Sequence, residues 1–562
     1  MKKTGAEIVI ESLKHYGVDL VFGYPGGTIM PVYDALYHSS LRHILARHEQ
    51  GACHAADGYA RATGKTGVVI ATSGPGATNI VTGLATAYMD SVPLIAITGQ
   101  VPTFAIGTDS FQEADIYGIT IPITKYNYLV KDVSKLAETF AEAFYLARNG
   151  RPGPVLIDIP KDVQLASTEY APVAQADIPL LKYTPEPQYE YEEQLDELVL
   201  LLRAAKRPVL FVGGGAVISN ASEVIHRLAR KLSLPVTNTL IANGVFPSQD
   251  PLSLGMAGMH GTRYANEAIF ASDLLIAAGA RFDDRVTGKI AEFAKRAKIV
   301  HIDIDPAEVG KVVPADLSII GNLKDVLEGL VVKLEAIDLE PQVKWLDQIK
   351  EWKEQYPLTY TQSASIIKPQ YVIQTISELT QGEAIITTGV GQHQMWASLY
   401  CDHRYPKHFI TSGGLGTMGF CVPSGIGAQL GCPDKRVVTI TGDGSFQMNL
   451  QELATAAYYN LPIKIVILNN GYLGMVRQWQ ELFFERRYSE THLEDGNPDF
   501  VMVAKGFGLE AFRITRPEEV RPTLEHAFAL PGPVVIDCRV EKEENVWPMI
   551  PTGGTVKDTL ER

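Results

Sequence analysis

Arg436-Val-Val-Thr-Ile-Thr-Gly-Asp-Gly-Ser445 opens the stretch that decides the fold, and Ile463-Lys-Ile-Val-Ile-Leu-Asn-Asn470 closes it. Each is a short β-branched run, and the residues between them have helical spacing, the pattern of a βαβ unit in a parallel sheet. The first run ends on Gly442-Asp443-Gly444-Ser445 and the second on Asn469-Asn470-Gly471. Open parallel sheets bind ligands at the carboxyl ends of their strands, so both polar clusters fall on one rim. Gly442 and Gly444 let backbone amides approach a phosphate closely, and Ser445 is expected to open a helix whose N-terminus favours an anion. Asp443 and Asn470 are hard oxygen ligands of the kind that hold Mg²⁺ together with phosphate oxygens and water.

Outward from this stretch, the 562 residues exceed what one core supports and suggest three domains. A capping box at Thr4 and Glu7 starts a helix with Ile8, Val9, Ser12, Leu13 and Tyr16 on one face. Strands are then expected at 20–23, 44–47, 67–73, 94–98 and 155–159, giving a doubly wound α/β domain over 1–165. Residues 166–188 are Pro-rich and unpatterned, a linker. A second α/β domain over 189–336 carries strands at 208–213, 273–278 and 299–303. The span 337–369, with Trp345, Trp352 and Tyr356, reads as a crossing linker with a helix in it. The third domain, 370–562, has strands at 384–388, 436–441, 464–468 and 533–537. The first and third domains share a size and a strand–helix rhythm that suggests an old duplication.

Composition narrows the function classes. Hydrophobic residues make up 46% and charged residues 20%, ordinary for a globular chain. A net charge of −14 with no clustered Lys/Arg stretch argues against nucleic acid. Five cysteines without a C-x-x-C read as buried free thiols of a reducing compartment. No apolar run is long enough for a bilayer and no signal core follows Met1, so a soluble cytoplasmic protein is expected.

The Gly-Asp-Gly motif, with Asn470 placed 470 − 443 = 27 positions after Asp443, resembles the fingerprint of the thiamine-diphosphate (ThDP) enzymes. The resemblance implies that Asp443 and Asn470 ligate Mg²⁺ through their side chains and Tyr472 through its carbonyl. Glu49, in Arg47-His48-Glu49-Gln50-Gly51, is the carboxyl group expected beside the cofactor's aminopyrimidine, where it drives the tautomer shift that removes the C2 proton. A dry crevice suits that role, because burial disfavours the charged form of a carboxyl group. In this family the residue acts on the neighbouring subunit's cofactor, so a homodimer is the minimum unit. Thr72-Ser-Gly-Pro-Gly-Ala-Thr-Asn79, through Pro75 and Asn79, matches the loop at the pyrimidine end. Val390, Gln392 and His393 in Gly389-Val-Gly-Gln-His-Gln394, with Gly416, match further cofactor contacts, Gln392 and His393 at the diphosphate. Met418 stands where a bulky apolar residue wedges between the cofactor rings, a task that suits Met.

Four segments together resemble the acetohydroxyacid synthase (acetolactate synthase) large catalytic subunits: Gly23-Tyr-Pro-Gly-Gly27, Ile106-Gly-Thr-Asp-Ser-Phe-Gln-Glu113, Gly279-Ala-Arg-Phe-Asp-Asp-Arg-Val-Thr-Gly288 and Gly474-Met-Val-Arg-Gln-Trp479. The likeness spans essentially the full length and implies three doubly wound parallel-sheet domains. The implied reaction decarboxylates pyruvate and joins the two-carbon fragment to pyruvate or 2-ketobutyrate, giving 2-acetolactate or 2-aceto-2-hydroxybutyrate, the entry to branched-chain amino acids. Gln112 and Lys161 are then expected along the substrate channel with Phe111, and Met475 and Trp479 at the acceptor. Gly213-Gly214-Gly215 alone is weak evidence for a dinucleotide, since it is not G-x-G-x-x-G. With Met259, His260, Gly279, Arg281, Arg285, Asp303 and Asp305, joined by Arg151 and Asn322, it resembles the FAD site of the biosynthetic branch, where FAD has no net redox task. Gly474 together with the polar Arg477 and Gln478 suggests a mobile lid rather than a core helix. Thr28 and Thr552 depart from residues common in the family, Ala and Ser. A dimer or tetramer, with a small regulatory subunit, is implied. Rival readings are an FAD- and ThDP-binding pyruvate oxidase, an inactive regulatory paralogue, which would have lost Glu49, Asp443 or Asn470, and a nicotinamide dehydrogenase, which leaves the third domain unexplained.

Overall fold

The computed structural model describes residues 1–174, 177–183, 189–335, 337 and 339–561. Among them stand three six-stranded, wholly parallel sheets, each covered by helices on both faces. The first runs, in spatial order, Arg42–Leu45, Leu20–Gly23, Gly67–Ala71, Leu94–Gln100, Pro154–Pro160, Tyr126–Leu129. The third runs Phe409–Ile410, Ile385–Thr388, Val437–Gly442, Lys464–Asn469, Val534–Arg539, Glu510–Ile514. Numbered by chain order within its own sheet, each reads 2-1-3-4-6-5, so the shared rhythm extends to topology. The middle sheet runs Ser253–Met256, Val236–Asn238, Pro208–Val212, Leu274–Ala278, Lys298–Asp303, Leu317–Ile320. Its order, 3-2-1-4-5-6, is that of dinucleotide-binding sheets.

These orders place the sites, because a crevice opens where the winding direction reverses. In the middle sheet the reversal lies between 208–212 and 274–278, from which Gly213–Gly215 and Gly279–Arg281 emerge. In the third it lies between 385–388 and 437–442, from which Gly389–Gln392 and Asp443-Gly444 emerge. In the first it lies between 20–23 and 67–71, from which Tyr24–Thr28 and Thr72–Pro75 emerge.

The strands carry Val, Ile, Leu and Ala on both faces, as sheets buried on both sides require. In 67–71, Val68 and Ile70 face one core and Val69 and Ala71 the other. In 437–442, Val438 and Ile440 enter one core and Val437 the opposite one. The unit quoted at the outset is a parallel pair, Val438 opposite Lys464 through Gly442 opposite Leu468. Its crossover consists of two short helices, Asp443–Gln447 and Leu453–Tyr458.

The first and third units are bolted together by the helices Glu49–Thr63 and Cys421–Gly431. Their backbones nearly touch: a Cβ on Gly427 would overlap the Ala55 carbonyl oxygen, so only glycine fits. Arg61 reinforces the seam. Paired with the buried Asp57 and Asp90, it also donates to the Thr411 carbonyl at 3.0 Å.

Several expectations need correction. The strand expected at 44–47 is Arg42–Leu45, because His48 already caps the helix that starts at Glu49. Ser445 does not open its helix. Gly442 is the cap, Asp443 is the first helical residue, and the Ser445 hydroxyl accepts the Gly419 N–H at 3.0 Å. The span 166–188 is not wholly unpatterned, since Ser167–Glu169 pairs antiparallel with Lys2–Thr4, although 175–176 and 184–188 lie outside the described residues. The helix Val343–Gln355 does more than cross between domains. Trp345 is buried in the middle core and donates to the Pro208 carbonyl at 3.1 Å. Four of the free cysteines are buried, but Cys432 is only half-buried. Among the described residues no helix is long and apolar enough to cross a membrane.

Candidate active site

At the reversal point of the third sheet, Asp443 and Asn470 sit at the ends of neighbouring strands, both buried. Asp443 Oδ2 accepts from Asn497 Nδ2 at 2.7 Å, while Oδ1 is buried with no hydrogen-bond partner among the described residues. Burial pushes this carboxyl up to about 6, against the pull of the Asn497 hydrogen bond. A buried carboxylate oxygen without a hydrogen-bond donor is what a resident cation would satisfy, so the donor set fits Mg²⁺. Asn470 Oδ1 accepts the Tyr472 N–H at 3.2 Å, and its Nδ2 donates to Gln392 Oε1 at 3.2 Å. The Gln392 amide is further engaged, donating to Gln478 Oε1 at 3.0 Å and to the Glu544 carbonyl at 2.9 Å. His393 is buried against Gly389 and Gly442 with Nε2 unpartnered, and burial pushes its imidazole down to about 3, so it is neutral. Gly444 and Met418 lie side by side on the same rim.

A second group forms at the corresponding rim of the first sheet. Glu49, half-buried, is the first residue of its helix and accepts from Asn79 Nδ2 at 2.9 Å. The loop through Pro75 runs beside it, and the Gln112 backbone, at a left-handed φ of 60°, packs against Gly74. Phe111, next in line, is 89% exposed. Lys161, half-buried, starts the helix Lys161–Leu165. Thr28 is held in this corner by its hydroxyl, which accepts the Ser73 N–H at 3.0 Å and lies 3.0 Å from Thr72 Oγ1, contacts an alanine could not make.

Between the middle and third units lies a cavity of about 1660 Å³. That exceeds the roughly 300–1,000 Å³ of a drug-sized pocket and suits a dinucleotide. Gly214, Gly215 and Gly279 form its floor where the two loops meet, Gly215 N–H donating to the Gly279 carbonyl at 3.0 Å. Gly213 lies just behind, packed on the Gly279 backbone. Arg151 reaches in from the first unit, paired with Glu308 at 2.7 Å and Asp305 at 3.4 Å. Arg281, Asp303 and Asn322 also line the cavity, with Asp303 pushed up to about 6 by burial. His260 is buried there with Nδ1 unpartnered, beside Met259 and Arg285. A neutral imidazole and glycine backbone facing an oversized crevice fit a flavin dinucleotide. Val390, Gly416 and Met418 line the same cavity at its third-unit end. Glu49 and Asp443 are not among its lining residues.

The segment expected to be a mobile lid is the helix Gly474–Phe483, and its polar residues are its anchors. Arg477 and Gln478 are fully buried. Gln478 exchanges hydrogen bonds with the Val546 backbone at 2.9 and 3.1 Å, and Arg477 bonds Asn545, the Glu543 carbonyl and Glu481. The apolar Met475, Val476 and Trp479 instead line the cavity. Polar-in and apolar-out inverts the usual amphipathic helix, which is why composition misled. Asn497 and Asn545 carry no signal in the sequence, since each becomes important only through a contact 54 or more positions away.

Models of the thiamine pyrophosphate enzymes match this chain in three places: the N-terminal TPP binding domain over residues 3–119, the central domain over 195–330 and the C-terminal TPP binding domain over 389–538. The chain is 50% identical to the acetolactate synthase large subunit of Parasynechococcus marenigrum, over 98% of this chain and 90% of that one. It is 49% identical to the acetolactate synthase large subunit of Corynebacterium glutamicum, over 99% and 90%. Acetolactate synthase 3, chloroplastic, of Brassica napus is 48% identical over 99% and 87%. The crevice at each sheet reversal, the pairing of Asp443 with Asn470 and this near-complete likeness place the chain in the acetolactate synthase large-subunit family of thiamine pyrophosphate enzymes.

Proposed function

We propose that the chain decarboxylates pyruvate and joins the resulting two-carbon fragment to a second 2-keto acid, pyruvate or 2-ketobutyrate, with ThDP, Mg²⁺ and FAD bound. The observation that carries this reading is the buried Asp443 Oδ1, without a hydrogen-bond partner among the described residues, on the strand-end rim it shares with Asn470; a cavity lined by Met418, Met475 and Trp479 adjoins the same unit. ThDP supplies, when bound, the carbon that attacks the keto acid and takes up the electrons released with CO₂. Asp443, Asn470 and the Tyr472 carbonyl would hold Mg²⁺, which would supply the positive charge a diphosphate needs. Gln392 orients Asn470 by accepting from its amide, and His393 stays neutral beside the glycines. Glu49, oriented by Asn79, gives and takes the proton at the pyrimidine end, with Pro75 closing that loop. Met418 fills the space between the two ends. Gln112 and Lys161 border the channel, and Met475 with Trp479 form the apolar wall against the acceptor. Arg151, Arg281, Arg285, His260 and the glycine floor hold FAD.

Glu49 lies outside the cavity of its own chain, and Phe111, beside the Gln112 that packs on the Gly74 loop, is 89% exposed. A second copy of the chain, laid over that face, would complete each site, so a homodimer or a tetramer is part of the reading. The relatives are named large subunits, which favours a smaller regulatory partner. Five free cysteines suit the reducing cytoplasm. The test is purified protein, yellow with flavin, supplied with pyruvate. Acetolactate formed only with ThDP and Mg²⁺ upholds the reading. Pyruvate-dependent peroxide formation or quinone reduction replaces it with a pyruvate oxidase.

A further inference from the structure

Glu452 is 1% exposed and belongs to the third unit, yet its carboxylate is spent on the first. It follows the Asp443–Gln447 helix in the chain and immediately precedes the helix Leu453–Tyr458. One oxygen, Oε1, accepts the N–H of Arg47 and of His48, both at 3.0 Å, and Oε2 accepts from Arg47 at 3.2 Å. Thr455 Oγ1 donates to Oε2 at 2.7 Å, so every lone pair in reach is used. These two amides belong to the residues just before Glu49. The fit is close enough that a Cβ on Gly51, two residues further on, would overlap the carboxylate. Seven residues after Glu452, the Tyr459 hydroxyl accepts the Leu45 N–H at 2.9 Å. The segment 45–48, which turns from strand into the Glu49 helix, is therefore gripped at both ends by one short stretch of the third unit. Burial holds the Glu452 carboxyl above its ordinary value while the Thr455, Arg47 and His48 hydrogen bonds oppose that rise. A surface cap would need no such burial. Among the described residues the Glu49 side chain receives only the Asn79 hydrogen bond, so its position is set by where its helix begins.

We propose that Glu452, assisted by Tyr459, is a positioning residue that fixes the Glu49 carboxylate for the reaction by clamping the backbone of Arg47 and His48. The proposal rests on the role given to Glu49 above. It also links, within one chain, the loop that carries Asp443 to the residue that acts at the pyrimidine end. Misplacement of a reacting group by about 1 Å costs on the order of 100-fold in rate, so the effect is readable.

The experiment compares the holoenzyme with Glu452→Gln, Glu49→Gln and the double variant. Hydrogen–deuterium exchange of the cofactor-free variants is read on peptides covering 45–50. Glu452→Gln is expected to speed exchange at the Arg47 and His48 amides and to lower kcat about 10- to 100-fold, while the ThDP and Mg²⁺ concentrations for half-activation hold. In the Glu49→Gln background it should lower kcat little further, because both changes remove the same function. An unchanged kcat, unchanged exchange at those two amides, or losses that simply multiply in the double variant overturn the proposal. If Glu49→Gln alone leaves turnover intact, the role of Glu49 fails instead, and the two failures are told apart by that one variant. Should Glu452→Gln not fold, Tyr459→Phe carries the same comparison with the Leu45 amide as the exchange readout. There, full kcat with faster exchange at Leu45 overturns the clamp.

Discussion

The Arg285 guanidinium lies 5.9 Å from the centre of the Trp479 ring, its Nη1 3.8 Å from Met259 Sδ. One arginine of the middle unit thus meets an aromatic residue of the third across the mouth of the shared cavity. Arg285 has an ion pair with Asp284 at 3.7 Å, but at 58% side-chain exposure that pair contributes little.

Arg285→Ala should therefore cost flavin retention and acceptor use rather than fold stability, and should leave the Mg²⁺ dependence alone. Flavin absorbance per chain after gel filtration, with product formation, checks this. Full flavin and full acceptor use would reduce Arg285 to a surface charge.

Glu49→Gln should cut turnover severely while fold and flavin content persist, because an amide cannot give or take the proton. The Asn79 hydrogen bond at 2.9 Å can survive through the Gln oxygen, so the loss reports chemistry and not position. Steady-state rates with saturating ThDP check it, and a rate unchanged from the parent would remove Glu49 from the mechanism.

How much of this was legible beforehand differs by kind of residue. Asp443, Asn470 and the glycines could be read because strand-end polar clusters follow from local pattern, and the parallel sheet puts them on one rim. The short strands 409–410 and 236–238 were not, since two or three residues carry no periodicity. Nor was the matching 2-1-3-4-6-5 order, which depends on pairing that local sequence does not encode. The helix Gly474–Phe483 misled for a physical reason. Arg477 and Gln478 look solvent-seeking, yet residues 543–546 supply a buried row of acceptors and donors that satisfies them. Glu452 reads in sequence as an ordinary helix-start acid, and only the fold brings it to Arg47.

Arg61→Met should destabilise the chain by about 3–5 kcal/mol, because it strands two buried carboxylates, Asp57 and Asp90, in the seam between the first and third units. Asp90 also accepts the Gly413 and Gly414 N–H groups at 2.9 and 2.7 Å, so the loop leading to Met418 should loosen as well. Urea unfolding followed by tryptophan fluorescence, with exchange read on peptides covering 411–418, checks both. A midpoint equal to the parent's would show that the triad contributes nothing net.

Asp443→Asn should act in opposite directions on the free and loaded protein. Without metal, it removes a buried negative charge whose Oδ1 has no donor, and should stabilise by on the order of 1–2 kcal/mol. With Mg²⁺ and ThDP, the parent gains about 2.7 kcal/mol at a hundredfold excess over Kd, and the variant should lose most of that gain. Thermal melts with and without Mg²⁺ and ThDP give both numbers. An equal Mg²⁺-dependent shift in the two proteins would move the metal away from Asp443.

Trp479 should decide which product is made. Its helix is anchored through the buried Arg477 and Gln478, and the indole, T-stacked on Phe483 at 5.6 Å, is presented to the cavity with Met475 and Val476. An anchored aromatic face should give the extra methylene of 2-ketobutyrate a defined apolar contact. One buried methylene contributes about 0.8 kcal/mol, and a shaped pocket roughly 1–3 kcal/mol. The upper part of that range corresponds to a preference over pyruvate of about tenfold or more. Trp479→Leu keeps an apolar side chain but removes the flat face and the Arg285 contact at once. The variant should still couple two pyruvates while losing most of its preference for 2-ketobutyrate. Both keto acids are supplied together and both products counted, so the ratio reports the acceptor step alone. Because Arg477 and Gln478 are untouched, the helix keeps its anchors, and thermal melts should match the parent's. If the ratio does not move, Trp479 is packing, and the specificity wall is Met475 and Val476.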